Sequence, residues 1–203
     1  PRSCDFPRHS GFYIFDLAFA WSKSRDAKLL EQMNRFLDYW WTRKLDDGTC
    51  LIESRSPEEN THFHGVGSPA QTLSLATSLL EAARLLDAGA PETAATMRER
   101  AATYVDAFFR APHDPPRSRY LILHKPGSPA QDKAMPIWGS RYGLWPASRV
   151  ALMCLGAHRL TGDGRLLDWA TAVGRDYHEN PFPDGVSVPA MDAGLGLGLL
   201  ADL

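Results

Sequence analysis

The sequence predicts an all-α fold, a toroid of helical hairpins, and three observations carry that prediction. Stretches with apolar residues three and four apart alternate with polar loops. Helices apolar on most sides alternate with helices apolar on one side only. No convincing pair of strands with period-two alternation is found anywhere. The unit of apolar helix, short turn, one-sided helix and long polar loop recurs three times and begins a fourth, with a period of roughly 50 to 70 residues. A helix apolar all round is unstable at a surface, so these helices are expected to form an inner ring enclosed by the one-sided helices.

Taken in order, the first hairpin spans about residues 11–45. Gly11 to Ser24 is nearly all apolar, with Phe12, Ile14, Phe15, Leu17, Phe19 and Trp21 spread round the wheel and Asp16 its lone charge before Lys23. After Asp26 a one-sided stripe follows, Leu30, Met33, Leu37, Trp40 and Trp41, which predicts core packing for both tryptophans. The second hairpin covers about residues 69–110. Ser68 and Pro69 form a cap-and-first-turn signal for a helix containing Leu73, Leu75, Leu79, Leu80 and Leu86. Its partner starts near Pro91 with Met97, Ala101, Tyr104, Val105 and Phe108 on one face. The third hairpin covers about residues 143–178, with Val150, Leu152, Met153, Cys154 and Leu155 before the turn and Leu166, Leu167, Ala170, Val173 and Tyr177 after it. A fourth apolar helix opens at about Pro189 and runs to Leu203.

At 203 residues, with 44% hydrophobic and 23% charged residues, the chain has globular proportions and the length for one domain. It begins at Pro1 and stops at Leu203 inside an apolar helical pattern, so a single truncated domain over 1–203 is expected and no compartment is assigned. The net charge of −2, with 22 basic and 24 acidic side chains interspersed, speaks against a nucleic-acid partner. No apolar run approaches the roughly 20 residues a bilayer crossing requires, so no membrane partner is expected. Three scattered cysteines make neither a disulfide framework nor a paired-cysteine zinc site.

The run His158-Arg159-Leu160-Thr161-Gly162-Asp163-Gly164-Arg165-Leu166-Leu167-Asp168-Trp169-Ala170 resembles the inner-to-outer turn of the six-hairpin glycosidase superfamily, carbohydrate-active enzymes in which a Thr-Gly-Asp turn, a Leu pair and an Ala are common. Gly162 suits the left-handed cap that ends one helix and Asp163 the cap that begins the next. Lys23 to Leu30 carries a weaker version, and Ala88-Gly89-Ala90-Pro91 departs from it. The resemblance implies an incomplete (α/α)6 barrel, a carbohydrate substrate, and an active cleft where the long loops meet the N-termini of the inner helices. No cofactor is expected.

The cleft so placed collects His9, Tyr13, Arg55, Asn60, Gln71, Trp138 and Trp145 as candidate substrate-binding residues, supplying aromatic platforms and fixed polar groups for a sugar. Two mechanisms compete. Hydrolysis needs a carboxylic acid and a second carboxylate. Asp16 and Asp192 suit this because each lies near the start of an apolar inner helix, where desolvation raises an acid's pKa, and Glu53 is the third candidate. Helix capping or pairing with a loop arginine is the structural alternative for these carboxylates. Elimination from a uronate needs a charge-stabilising group and a base or acid. His62 and His64 beside Asn60, with Arg141 and Tyr142, resemble the sets of toroidal polysaccharide lyases, although solvated loop histidines are the commoner case. His62 and His64 also make an H-x-H pair, but no third ligand is identifiable and no metal site is expected. Hydrolysis is preferred over elimination, and the alternatives are a sugar epimerase or a non-catalytic helical-repeat binding module.

Overall fold

The computed structural model describes residues 4–54, 65–111, 113–114, 119–120, 137–138, 146–182 and 190–203. Among them are seven helices: α1 (Pro7–Ser24), α2 (Ala27–Trp41), α3 (Pro69–Leu86), α4 (Pro91–Arg110), α5 (Ala147–Thr161), α6 (Gly164–Glu179) and α7 (Ala190–Asp202). The fold is all-α. The described residues divide into two compact units, one up to Ala111 and the other from His113 onward.

In the first unit α1 packs on α2 and α3, and α3 packs on α4. The stripes legible in the sequence are the faces that meet: Met33, Leu37 and Trp40 of α2, and Met97, Ala101, Tyr104, Val105 and Phe108 of α4, are all buried. Each large side chain so enclosed contributes about 1.5–3 kcal/mol relative to exposure. Helix α3 is the most enclosed, with Leu73, Leu75, Leu79 and Leu86 among its buried residues. Helices α1 and α3 run parallel. A Cβ on Gly11, early in α1, would meet Ser78 and Leu75, while one on Gly89, just past α3, would meet Arg25 and Trp21 at the far end of α1. The N-termini of the two helices therefore lie at the same end of the unit.

Helix α1 departs from expectation. Ile14, Ala18 and Trp21 are buried, but Phe12, Tyr13 and Phe19 are about half exposed. Apolar composition shows that a helix can be enclosed, not how many neighbours enclose it.

The sequence also gave no warning of strands, and that expectation is corrected. Strand β1 (Cys4–Asp5), β2 (Leu51–Ser54) and β3 (Val66–Gly67) form an antiparallel sheet in that order, with Asp5 opposite Glu53 and Ile52 opposite Val66. Strands of two to four residues are too short to show alternation. Phe6 packs on Ile52 and Val66, tying the entry of α1 to the start of the long loop before α3.

In the second unit α5, α6 and α7 pack on one another, and β4 (His113–Asp114) pairs antiparallel with β5 (Arg119–Tyr120). Leu166, Ala170, Val173 and Tyr177 form the buried stripe of α6, whereas Leu167, expected beside them, is exposed. Arg159 near the end of α5 pairs with Asp202 at the end of α7, 3.4 Å apart, so these two helices are also parallel.

Two of the corners share one design. Between α1 and α2, Arg25 takes a left-handed conformation (φ 58°) and donates its backbone N–H to Trp21 O at 2.8 Å, and Asp26 caps α2 by accepting from Lys28 N at 2.9 Å. Between α5 and α6, Gly162 (φ 73°) donates to His158 O at 2.7 Å, and Asp163 accepts from Arg165 N at 3.0 Å. The corner after α3 is longer: Gly89 and Ala90 both donate to Leu86 O, and α4 starts at Pro91 without a side-chain cap.

Candidate functional site

Several nominated residues share a position in their helices. His9, Gln71 and Asp192 are each the third residue of α1, α3 and α7, in the first turn, where backbone N–H groups lack intrahelical acceptors. In the first unit, His9 and Gln71 stand at the same end of two parallel packed helices. His9 is exposed on the surface, edge-on to the Phe6 ring at 5.3 Å, and its Nε2 accepts from Arg8 Nε at 3.3 Å. Partial burial lowers its pKa and the Arg8 charge lowers it further, so the imidazole is neutral at pH 7. Gln71 is the opposite case, 3% exposed, with its Oε1 lacking a hydrogen-bond partner among the described residues. A buried amide oxygen without a donor is costly, which makes it a ready acceptor for a ligand hydroxyl or water. Tyr13 lies on the outward face of α1, stacked on Phe36 at 6.1 Å.

In the second unit, Asp192 and Trp138 are brought together around Tyr177. Asp192 is 1% exposed. Gly196, one turn further along α7, is where the Trp138 and Tyr177 rings pass: a Cβ there would stand 2.6 Å from Trp138 Cζ3 and 3.0 Å from Tyr177 Cε1. Trp138 is edge-to-face with Tyr177 at 4.7 Å, tilted on Phe182 at 5.0 Å, and its Nε1 donates to Asn180 O at 2.6 Å. The Tyr177 hydroxyl donates to Ile137 O at 2.6 Å and accepts from Ser148 N at 3.3 Å. Burial pushes this phenol up; the Ser148 hydroxyl and backbone N–H beside it oppose the rise and the Asp192 charge adds to it. It therefore stays a neutral donor at working pH.

Asp16 is where expectation and structure part. Its place in an apolar run predicted a desolvated acid near the start of an inner helix, but it sits well past the first turn of α1 and is exposed. Glu53 is placed by its backbone alone, in β2 opposite Asp5. Arg55, Asn60, His62, His64, Arg141, Tyr142 and Trp145 lie outside the described residues. Among the described residues no group of three or more His, Cys, Asp or Glu could hold a metal ion. No described helix is long and apolar enough to cross a membrane.

Sequence reasoning missed Ser148. It is fully buried in the first turn of α5, its Oγ without a hydrogen-bond partner among the described residues. It is the second residue of α5, and a serine near a helix start is too ordinary to signal a buried polar group. Sequence reasoning missed a second buried polar group as well. The Cys50 thiol, beside the Thr72 and Tyr104 hydroxyls, is pushed up to about 12 by burial, with those two hydrogen bonds opposing the rise. At that value it is an inert core thiol rather than a nucleophile.

No family model matches the chain, and no curated protein does. Among solved structures it is similar to a crystal structure of a sugar epimerase from a ruminal bacterium, with a TM-score of 0.58 and 12% sequence identity over 89% of this chain and 43% of that one. The chain thus spans less than half the length of that protein, and at this identity the likeness is one of fold.

Proposed function

We propose that this chain is part of a carbohydrate-processing enzyme whose sugar site uses the first turns of α5 and α7. The observation that carries the reading is the burial of Ser148 and Asp192 at those turns, with Trp138 and Tyr177 next to Asp192. Burying polar groups in otherwise apolar helices costs stability, and such groups are retained where they bind or react. A hydroxyl and a carboxylate beside aromatic rings are groups that sugar recognition uses.

Of the reactions open to such a site, epimerisation is favoured over hydrolysis. Hydrolysis requires two carboxyl groups in concert. Among the described carboxylates nominated for it, Asp192 is enclosed and Asp16 is not. Epimerisation beside a carbonyl needs one group to remove a proton and one to return it, a task open to a carboxylate, a tyrosine or the histidines at 62 and 64. The fold likeness to a sugar epimerase points the same way.

The test is incubation of the protein with reducing sugars and oligosaccharides in heavy water. Epimerisation gives a stereoisomer carrying deuterium at the carbon beside the carbonyl. New reducing ends alone would mean hydrolysis, and new absorbance near the ultraviolet edge would mean elimination. Glycan binding without any of the three would make the chain a binding module and defeat the enzyme reading.

A further inference from the structure

Helix α5 begins without help from its own sequence. Its N-cap position is Pro146, which has no side-chain acceptor, and no side-chain cap bond is made there. The first-turn N–H groups of a helix have no intrahelical acceptor and must find one elsewhere. For Ser148 that acceptor is the hydroxyl of Tyr177, a residue of α6 far along the chain. The same hydroxyl donates to the Ile137 carbonyl, next to Trp138. The Tyr177 ring lies edge-to-face against Trp138 and passes Gly196, one turn from Asp192 on α7. One phenol thus joins the 137–138 segment to the start of α5, while its ring lies against the middle of α7.

We propose that Tyr177 is a positioning residue: its hydroxyl serves as the missing cap of α5 and, through Ile137, holds Trp138 against α7 one turn from Asp192, in the arrangement the sugar site requires. This rests on the reading of Trp138 and Asp192 as site residues given above. The hydroxyl does the positioning and the ring does the packing, so Tyr177→Phe separates them. It keeps the edge contact with Trp138 and removes the only cap bond identified at Ser148 among the described residues.

The experiment compares native protein and Tyr177→Phe by amide hydrogen exchange and by sugar turnover. The Ser148 amide is expected to exchange about tenfold faster in the variant, as loss of one hydrogen bond implies. The Ala170 amide, mid-helix in α6, is expected to keep its native rate, which reports that the unit still folds. Turnover is expected to lose about tenfold in kcat with KM little changed, the split that marks misplacement of reacting groups rather than loss of substrate contacts. Unchanged exchange at Ser148 would overturn the cap. Faster exchange with native kcat, KM and pH profile would overturn the positioning role and leave a purely structural one. A native protein that neither binds nor turns over any sugar would sink the reading of function instead, and exchange at Ser148 would still decide the cap.

Discussion

Asp192 and Asp16 carry the same sequence signal, a single carboxylate in an apolar helical run, and the structure separates them. Asp192 is enclosed in the first turn of α7, while Asp16 faces solvent from α1. Asp192→Asn keeps the shape of the side chain and removes its charge and its capacity to carry a proton. Turnover should fall about a hundredfold or more, as for loss of a general acid or base, with the melting temperature near native. Native turnover in the variant would make Asp192 a structural group. The enclosed carboxylate was legible because charge amid apolar residues is conspicuous; its neighbours were not. Ser148 and Tyr177 are ordinary residues for a helix start and a buried stripe, and their bond spans 29 residues of sequence. Only the packing of α5 against α6 makes it.

At the scale of elements, the two-residue corners were the most readable feature, because each of their residues does a job that local chemistry dictates. Gly162 occupies a left-handed conformation in which a Cβ costs about 1 kcal/mol, so Gly162→Ala should lower unfolding free energy by that amount in denaturant titrations. Asp163→Ala removes a cap worth about 1 kcal/mol. The side-chain bond from Arg165 is the largest influence holding the Asp163 carboxyl below its ordinary 3.8, its backbone bond and charge add to it, and slight burial opposes. A depressed folded value means the stabilisation is present above the unfolded pKa and is lost as pH falls through the folded one. The gap between native protein and Asp163→Ala should therefore be full at pH 7 and close as pH drops below about 4. Arg25 fills the position of Gly162 in the first hairpin without being glycine. Its guanidinium lies 4.3 Å from the Trp21 ring centroid, a contact of about 0.5–1 kcal/mol that offsets most of the backbone cost. That substitution is why the first corner read as a weaker copy of the third. The short strands left no comparable trace, since their pairing depends on partners dozens of residues away.

For the molecule as a whole, the order of helices and most of their inward faces followed from spacing alone, because burial repeats with the helical turn. How completely each helix is surrounded did not follow, as α1 shows. Two enclosed thiols give a measure of how tightly the units hold together. Burial pushes both Cys50 and Cys154 up, so neither offers thiolate at pH 8 while folded. In native protein, peptide mapping after treatment with an aromatic disulfide reagent should find both unmodified, with labelling appearing only as denaturant opens each unit. Rapid labelling without denaturant would mean that the cores breathe freely.

The outward face of α1 bears on how the protein behaves in a tube. Phe12 and Phe19 stand two turns apart on one side of the helix, with Asp16 between them and each ring about half uncovered. Concentrated stocks should light up an environment-sensitive naphthalene dye and cling to phenyl resin. Exchanging both rings for serine should abolish both behaviours and raise the concentration at which the preparation turns cloudy.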